Sequence, residues 1–546
     1  MHRALLIVEI QLYIFNEISK GQDSENPDDS YLEKHMLNAL ARTCKTFSEA
    51  ALDVLWCDLD SFIRLIQCMP KDLRRRSGTS YSHIPGVLGR VPLTRTLGRS
   101  ITPSDWAIFQ KYSRRVHSLG PMTSILDDTF ILALCSPSAP TLLLPNLVSL
   151  HLRVVSDNIF LLLPRICSPA LISLKITFPR DWDSSQALES ALPISFEICP
   201  SLKRLSVYVP VNASVTPNAL EGLRRSISRL QKLDAVSWDN LGNEGILSLA
   251  RLPALTKASF ILAPGFPIYI KTLLSRSPVL KPAFSRVRSL SFSDCSFASA
   301  TAFLNYFTVD LEELNIMIRS PSGSGTDTGA TLILDFFAAL GSSSPHDAPS
   351  LQDLTIYDCA PQLHSLGIRA RELRPLLKFH RLQYLDLTLG GPIFINDATL
   401  LEMADAWPDL VLLFLNKDCG QQGSHGTPWG LAGLLERCSK LKRLSLRVDF
   451  STIDRADFDP LGTAWHHSTG SDAHAGAQLE ELFLGPFNIT HPPAIARFLA
   501  LILPNCLVFM RWPDDTGDEP SIYERRWREA EDLRLASLAL WEEDLE

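Results

Sequence analysis

Two triplets in the sequence have the composition of a hydrolytic centre. Asp327-Thr328-Gly329 and Asp515-Thr516-Gly517 lie 188 residues apart, and two such carboxylates brought together could share one proton and activate a water. Holding each carboxylate in place takes an apolar strand ahead of it. The flanks are instead Gly323-Ser324-Gly325-Thr326 and Trp512-Pro513-Asp514, so the triplets read as turns. His466, His467 and His474 stand in a Gly/Ser-rich run without cysteine partners and read as surface histidines, not metal ligands. No G-x-x-x-x-G-K-[ST] phosphate loop and no G-x-S-x-G elbow occurs. The expectation is a non-enzymatic chain with no cofactor and no metal, whose partners carry any catalysis.

The elements around these residues follow one pattern, clearest in Leu382-Gln383-Tyr384-Leu385-Asp386-Leu387. Apolar residues at its first, fourth and sixth places recur from Leu147, Leu171, Leu202, Leu233, Leu255, Val287, Leu311, Leu351, Leu382, Leu410, Leu441 and Leu479. Spacings run from 22 (Leu233 to Leu255) to 40 (Leu311 to Leu351), around a period of roughly 30. The fourth and sixth residues alternate as in a strand and point inward, with the residues between them outward. Helix-like stretches follow the strands at 218–230, 331–340, 397–407, 429–438 and 494–503. One such unit cannot hide its apolar face alone, so the units must stack.

From about 140 to 512 the sequence resembles the leucine-rich repeat family. The resemblance implies an α/β solenoid with parallel strands on a concave face and helices on a convex face. The Asn or Cys that in this family follows the last strand leucine by three places occurs only as Cys295 and Cys359; Val155, Pro179, Arg319, Gly390 and Asp449 stand elsewhere. Irregular curvature is expected. The stretches 320–329, 341–350 and 463–478 break the period and are expected to loop out.

The 546 residues are 46% hydrophobic and 21% charged, with a net charge of −8. That balance argues against general nucleic-acid binding, which needs a basic stripe. Eleven cysteines without a C-x-x-C pair suit reduced thiols. Glu9 interrupts the apolar start, which does not read as a signal peptide. The longest apolar run, 498–510, contains Pro504 and Asn505 and is too short to span a bilayer. Arg74-Arg75-Arg76 reads as a solvated run, with a nuclear signal as its alternative. The expected location is cytoplasmic, nuclear or both.

Residues 3–18 place Leu6, Ile10, Ile14 and Phe15 at helical spacing, a polar break spans 19–30, and 32–56 reads as two further helices. Leu5-Leu6-Ile7-Val8-Glu9-Ile10 with Ile14-Phe15, Leu40 to Phe47, and Leu55-Trp56 together resemble an F-box, with Val8 where the family usually has Pro. The resemblance implies docking of a Skp-type adaptor, and through it a cullin-RING ubiquitin ligase, by Leu6, Glu9, Ile10, Ile14, Phe15, Leu40, Cys44 and Phe47. A helix over 105–119, capped by Thr102 or Ser104, together with 125–134 is similar to the linkers of fungal F-box proteins.

The expected organisation is an F-box-like module at 1–57, a linker and cap at 58–139, about twelve or thirteen repeats at 140–512, and a terminal helical cap at 513–546. In that cap Trp527, Leu535, Leu538 and Trp541 would cover the last repeat. Outward strand positions in early repeats are mainly basic: His151, Arg153, Lys175, Arg204, Tyr208 and Lys257. Later ones include Glu313, Asp353 and Asn416. Aromatic and arginine side chains dominate interface hot spots, which makes Tyr208, Tyr357, Tyr384, Asp386, Phe414, Arg443, Arg447 and Phe483 the candidate substrate surface. The implied role is that of a substrate-recognition subunit of a Skp-cullin-F-box ligase. A repeat scaffold or sensor without a ubiquitin role stays open beside it.

Overall fold

The structure, a computed structural model, describes residues 7–19, 27–76, 95–120, 128–154, 157–178, 186–209, 226–239, 241–276, 284–319, 329–343, 349–358, 367–389, 391–416, 426–456, 478–484, 488–503, 506–510 and 522–543. The chain forms two compact units, Met1–Leu255 and Thr256–Glu546.

The first unit opens with three helices, α1 (Val8–Ser19), α2 (Pro27–Thr43) and α3 (Lys45–Cys57). Extended backbone at Cys44 separates the last two. Their core is Phe15, Leu37, Ala50, Ala51 and Val54, with Leu12, Ile18, Leu40, Ala41, Phe47 and Leu55 packed against it. The small Ala50 and Ala51 let neighbouring helices come close. The polar break ends sooner than expected: α2 already starts at Pro27, where a missing amide costs nothing.

α3 then passes without a linker into a strand, Asp58–Leu59, that pairs in parallel with Ser118–Leu119. Ser149–Arg153, Ser173–Thr177, Arg204–Tyr208 and Ala235–Trp238 add to it in sequence order, all parallel. Arg115 is buried and ion-paired to both Glu49 and Asp53 of α3. Its Nη1 also donates to the Glu49 carbonyl at 3.2 Å, and Trp56 packs on Tyr112 at 4.7 Å. The Arg74–Arg76 segment is one strand of an antiparallel ribbon with Arg95–Leu97.

The helix Pro103–Ser113 begins at Thr102 with a reciprocal capping box to Asp105. Arg99 grips the buried Asp105 carboxylate at 2.6 and 3.1 Å and reaches Asp72 at 2.6 Å. Hydrogen bonding from Arg99, reinforced by Thr102, holds the Asp105 carboxyl well below the usual carboxylate range despite its desolvation. A carboxyl whose folded pKa is depressed stabilises fully above its unfolded value, near 4, and loses that contribution as pH falls through the folded value. Asp105→Asn is therefore expected to destabilise the first unit by about 2 kcal/mol at neutral pH. In acid unfolding curves, the gap to the parent protein should shrink once pH drops below about 4.

The main sheet of the second unit carries nine described strands in parallel and in sequence order: Lys257–Ile261, Ser289–Cys295, Glu313–Ile318, Asp353–Asp358, Tyr384–Thr388, Leu412–Leu415, Arg443–Leu446, Glu481–Leu484 and Leu507–Met510; Ile368–Arg369 and Ile393–Phe394 pair separately. Helices between them include Phe266–Arg276, Phe297–Tyr306, Gly329–Ser343, Asp397–Ala406, Pro428–Arg437 and Pro492–Ile502. All twelve apolar motifs yield strands, and their first, fourth and sixth residues are buried throughout. The expected helix at 218–230 and the loops at 320–329 and 463–478 lie largely outside the described residues. Gly341, Ser342 and Ser343, expected to leave the repeat, extend the helix before them.

Main-chain geometry repeats as regularly as the leucines. The carbonyl of the second motif residue accepts two amides from the following repeat. Val148 takes Ile172 and Ser173 at 2.8 and 3.0 Å; Glu312 takes Gln352 and Asp353 at the same distances; Gln352 takes Gln383 and Tyr384 at 2.8 and 2.9 Å. Carboxylates of one repeat hold the start of the next helix in the second unit. Asp397 accepts from the Thr427 amide at 2.7 Å and its hydroxyl at 2.6 Å, and Asp454 takes both groups of Thr490 at 2.7 and 3.0 Å. A side chain at Gly430 would collide with Asp397, which is why the helix Pro428–Arg437 carries glycine in its first turn.

The last helix, Ile522–Glu543, lies against Pro492–Ile502. Trp527 is buried edge-on to Phe450 at 5.4 Å. Leu535, expected to cover the last repeat, faces solvent at 51% exposure. The buried neighbours that do the covering are Ala530 and Arg534. Leu538 is half-buried, and the Trp541 side chain lies outside the described residues.

Candidate interaction surfaces

On α1 the helix periodicity divides the expected adaptor-binding residues into two sets. Phe15 is 4% exposed and sits edge-on to Phe47 at 5.7 Å, so it belongs to the three-helix core. Leu40 and Phe47 pack on the same core and are half-buried, as is Cys44. These side chains hold the module together; they are not its exposed face. Glu9 and Ile14 are exposed and Ile10 is half-buried, while Leu6 lies outside the described residues.

What α1 presents to solvent is Ile7, Ile10 and Ile14 at i, i+3, i+7 spacing, with Tyr13 beside them at 69% exposure, and Val8 at the helix start. Met36 of α2 is a further exposed apolar side chain. Ile7, Tyr13 and Met36 were not among the expected docking residues, because Phe15 was counted on the docking face; the 3.6-residue period from a buried Phe15 puts Tyr13 outside.

On the sheet of the second unit, Tyr357 and Tyr384 are each 41% exposed. They stand on neighbouring strands together with the half-buried Asp386, which accepts from Thr388 at 3.3 Å. Tyr384 is opposite Asp353, and Asp353 is opposite Glu313. Burial, then the Glu313 charge, pushes the Asp353 carboxyl up. This part of the face is acidic and aromatic.

Phe414 does not contribute an exposed ring. It is 6% exposed and meets Phe483 edge-on at 5.7 Å. Register explains the closure: both rings flank Ser445 on the strand between them, and the serine is too small to hold them apart. Arg443 is exposed and paired with Glu481 at 3.3 Å. Arg447 is half-buried, and burial lowers its pKa. Tyr208 belongs to the first unit and is half-buried, with the Lys175 ammonium 5.3 Å from its ring centre.

Asn416 is committed to the fold. It has φ 55°, accepts from the Leu389 amide at 2.7 Å and donates to the Gly391 carbonyl at 2.7 Å. It thereby performs the inter-repeat bonding expected three places after the strand, but only one place after it. Asn416→Ala is expected to cost about 2 to 3 kcal/mol in urea unfolding, and Asn416→Gly less, since glycine accepts the left-handed backbone and loses only the side-chain bonds.

The buried thiols are unsuited to chemistry. Burial pushes Cys438 up to about 11 and Cys506 up to about 12. Native alkylation near pH 8 should modify the half-buried Cys44 well before either of these. Among the described residues no group of His, Cys, Asp or Glu is placed to hold a metal, and no helix is long and apolar enough to cross a membrane. Both Asp-Thr pairs and the three loop histidines lie outside the described residues.

No protein-family model matches the sequence, and no curated protein matches it. Among solved structures it is similar to the Rad7 and Elc1 complex of yeast, at 15% identity over 64% of this chain and 84% of that one, with a TM-score of 0.31. At that score the likeness carries no argument about role; the chain is established as an α/β protein of stacked strand–helix units on parallel strands.

Proposed function

We propose that the protein is the substrate-recognition subunit of a Skp-cullin-F-box-type ubiquitin ligase and is not itself catalytic. In this reading α1 docks the adaptor and the open face of the sheet holds the protein to be modified. The observation that supports it is the apolar strip at α1, with exposed Ile7, Tyr13 and Ile14 and half-buried Ile10, on a three-helix module placed before leucine-rich repeats. Apolar anchors at i, i+3, i+7 are how a helix fills a groove in a partner. The protein's contribution would be proximity, raising the effective concentration of a substrate lysine near the ubiquitin-loaded enzyme.

A second reading rests on the direct passage of α3 into the first strand and its clamping by Arg115. Both features suit a helical cap for a repeat scaffold. Co-purification with a Skp-type adaptor separates the two. The parent protein should be captured at about micromolar concentration, and a Tyr13→Asp, Ile14→Asp variant with unchanged circular dichroism should lose at least about tenfold in affinity. Absence of capture by the parent would leave the cap reading.

A further inference from the structure

We propose that the open sheet face of the first unit binds an extended, carboxylate-rich segment of a protein partner through Arg153, Lys175 and Arg204. The inference rests on the part of the preceding reading that makes the sheet face a protein-binding surface, and it does not depend on the adaptor.

Arg153, Lys175 and Arg204 are exposed and fall on a regular diagonal. Arg153 is opposite Thr177, and Lys175 lies two residues before Thr177 on the next strand. Lys175 is opposite Ser206, and Arg204 lies two residues before Ser206 on the strand after that. Each step therefore crosses one strand, about 4.8 Å, and two residues of rise, about 6.6 Å, so successive Cα atoms are about 8 Å apart. Alternate side chains of an extended peptide are spaced by about 7 Å, within reach of long basic side chains.

The surroundings favour a backbone lying there. The outward positions around the cations are Ser149, Ser173, Ser206 and Thr177, small enough for a peptide to approach, with His151 and Tyr208 beside Lys175 and Thr177. The Tyr208 ring beside Lys175 helps to hold that side chain on the face. His151, opposite Lys175, is held toward its neutral form by burial and by the Lys175 and Arg153 charges. Among the described residues no carboxylate lies within ion-pairing distance of Arg153, Lys175 or Arg204, whereas Arg443 on the second unit's sheet has Glu481. This patch is basic on a chain of net charge −8, so it attracts by local charge alone.

Carboxylates fit better than the other anions. A single phosphate draws its cations to one point, and these three are spread along a line. Nucleic-acid binding draws its affinity from neutralising many phosphates at once, and this face offers three exposed cations in a line. One carboxylate per cation, two of them gripped by guanidinium forks, matches the arrangement.

The test is fluorescence anisotropy with the full chain and a labelled peptide of about nine residues alternating Glu and Ser. Binding is expected, and a folded Lys175→Glu, Arg204→Glu variant should weaken it at least about tenfold. Added salt should weaken it in the parent as well. No binding up to about 1 mM, or equal binding by the variant, would overturn the proposal. So would tighter binding of a neutral peptide with one phosphoserine, or of an oligo-dT strand. Adaptor capture measured on the same variant should be unchanged, which separates failure here from failure of the ligase reading.

Discussion

Phe303→Ala is expected to lower the stability of the second unit by about 4 kcal/mol. Phe303 is fully buried, and its ring lies 5.9 Å from Phe260, 6.2 Å from Phe266, 5.5 Å from Phe284, 5.2 Å from Phe292 and 4.5 Å from Phe307. Phe260 and Phe292 are the sixth motif residues of adjacent strands, so this helix residue is where two repeats share one aromatic cluster. Removing it opens a cavity bounded by five rings, none of which can move in without abandoning its own strand or loop. Phe303→Leu refills part of that volume and should cost only about 1.5 kcal/mol. Urea unfolding of the three proteins checks the ordering, and a loss under about 1 kcal/mol for alanine would mean that the cluster collapses to fill the gap.

Arg534→Ala is expected to cost about 3 kcal/mol and to loosen the end of the repeat array. The guanidinium is buried; it donates to the Leu503 and Cys506 carbonyls at 2.8 Å each and grips Glu531 at 2.7 and 2.8 Å. Leu503 caps the helix Pro492–Ile502, whose terminal carbonyls need donors and whose dipole favours a cation there. Alanine would leave two carbonyls and a carboxylate without this donor. Glu531→Gln should cost less, because Arg534 keeps both carbonyl bonds. Limited proteolysis should cut within 522–543 sooner in Arg534→Ala, and an unchanged pattern would place the cap's stability in Trp527 alone.

The strands were legible because their signal is periodic: twelve motifs gave twelve strands with the predicted residues inward. The strands Asp58–Leu59, Ser118–Leu119 and Leu507–Met510 were not, since the first two are only two residues long and the third lay at the end of the long apolar run 498–510. Strand pairing there is conferred by the neighbouring sheet rather than by local sequence. Site residues were harder to read for a related reason. Phe15 and Phe414 are apolar at positions that suit either a surface or a core, and only the small Ala50, Ala51 and Ser445 across from them decide it. Arg534 escaped notice because a buried arginine is defined by the carbonyls it meets, which a sequence does not display.

The carbonyl that takes two amides from the next repeat comes from the second motif residue, whose side chain takes no part in the bond. The same place is filled by valine at 148, lysine at 442, glutamine at 352 and glutamate at 312. Stacking is thus written in peptide groups and buried leucines, and the outward side chains have no part in it. Outward residues can therefore be exchanged strand by strand, leaving the joints between repeats as they were.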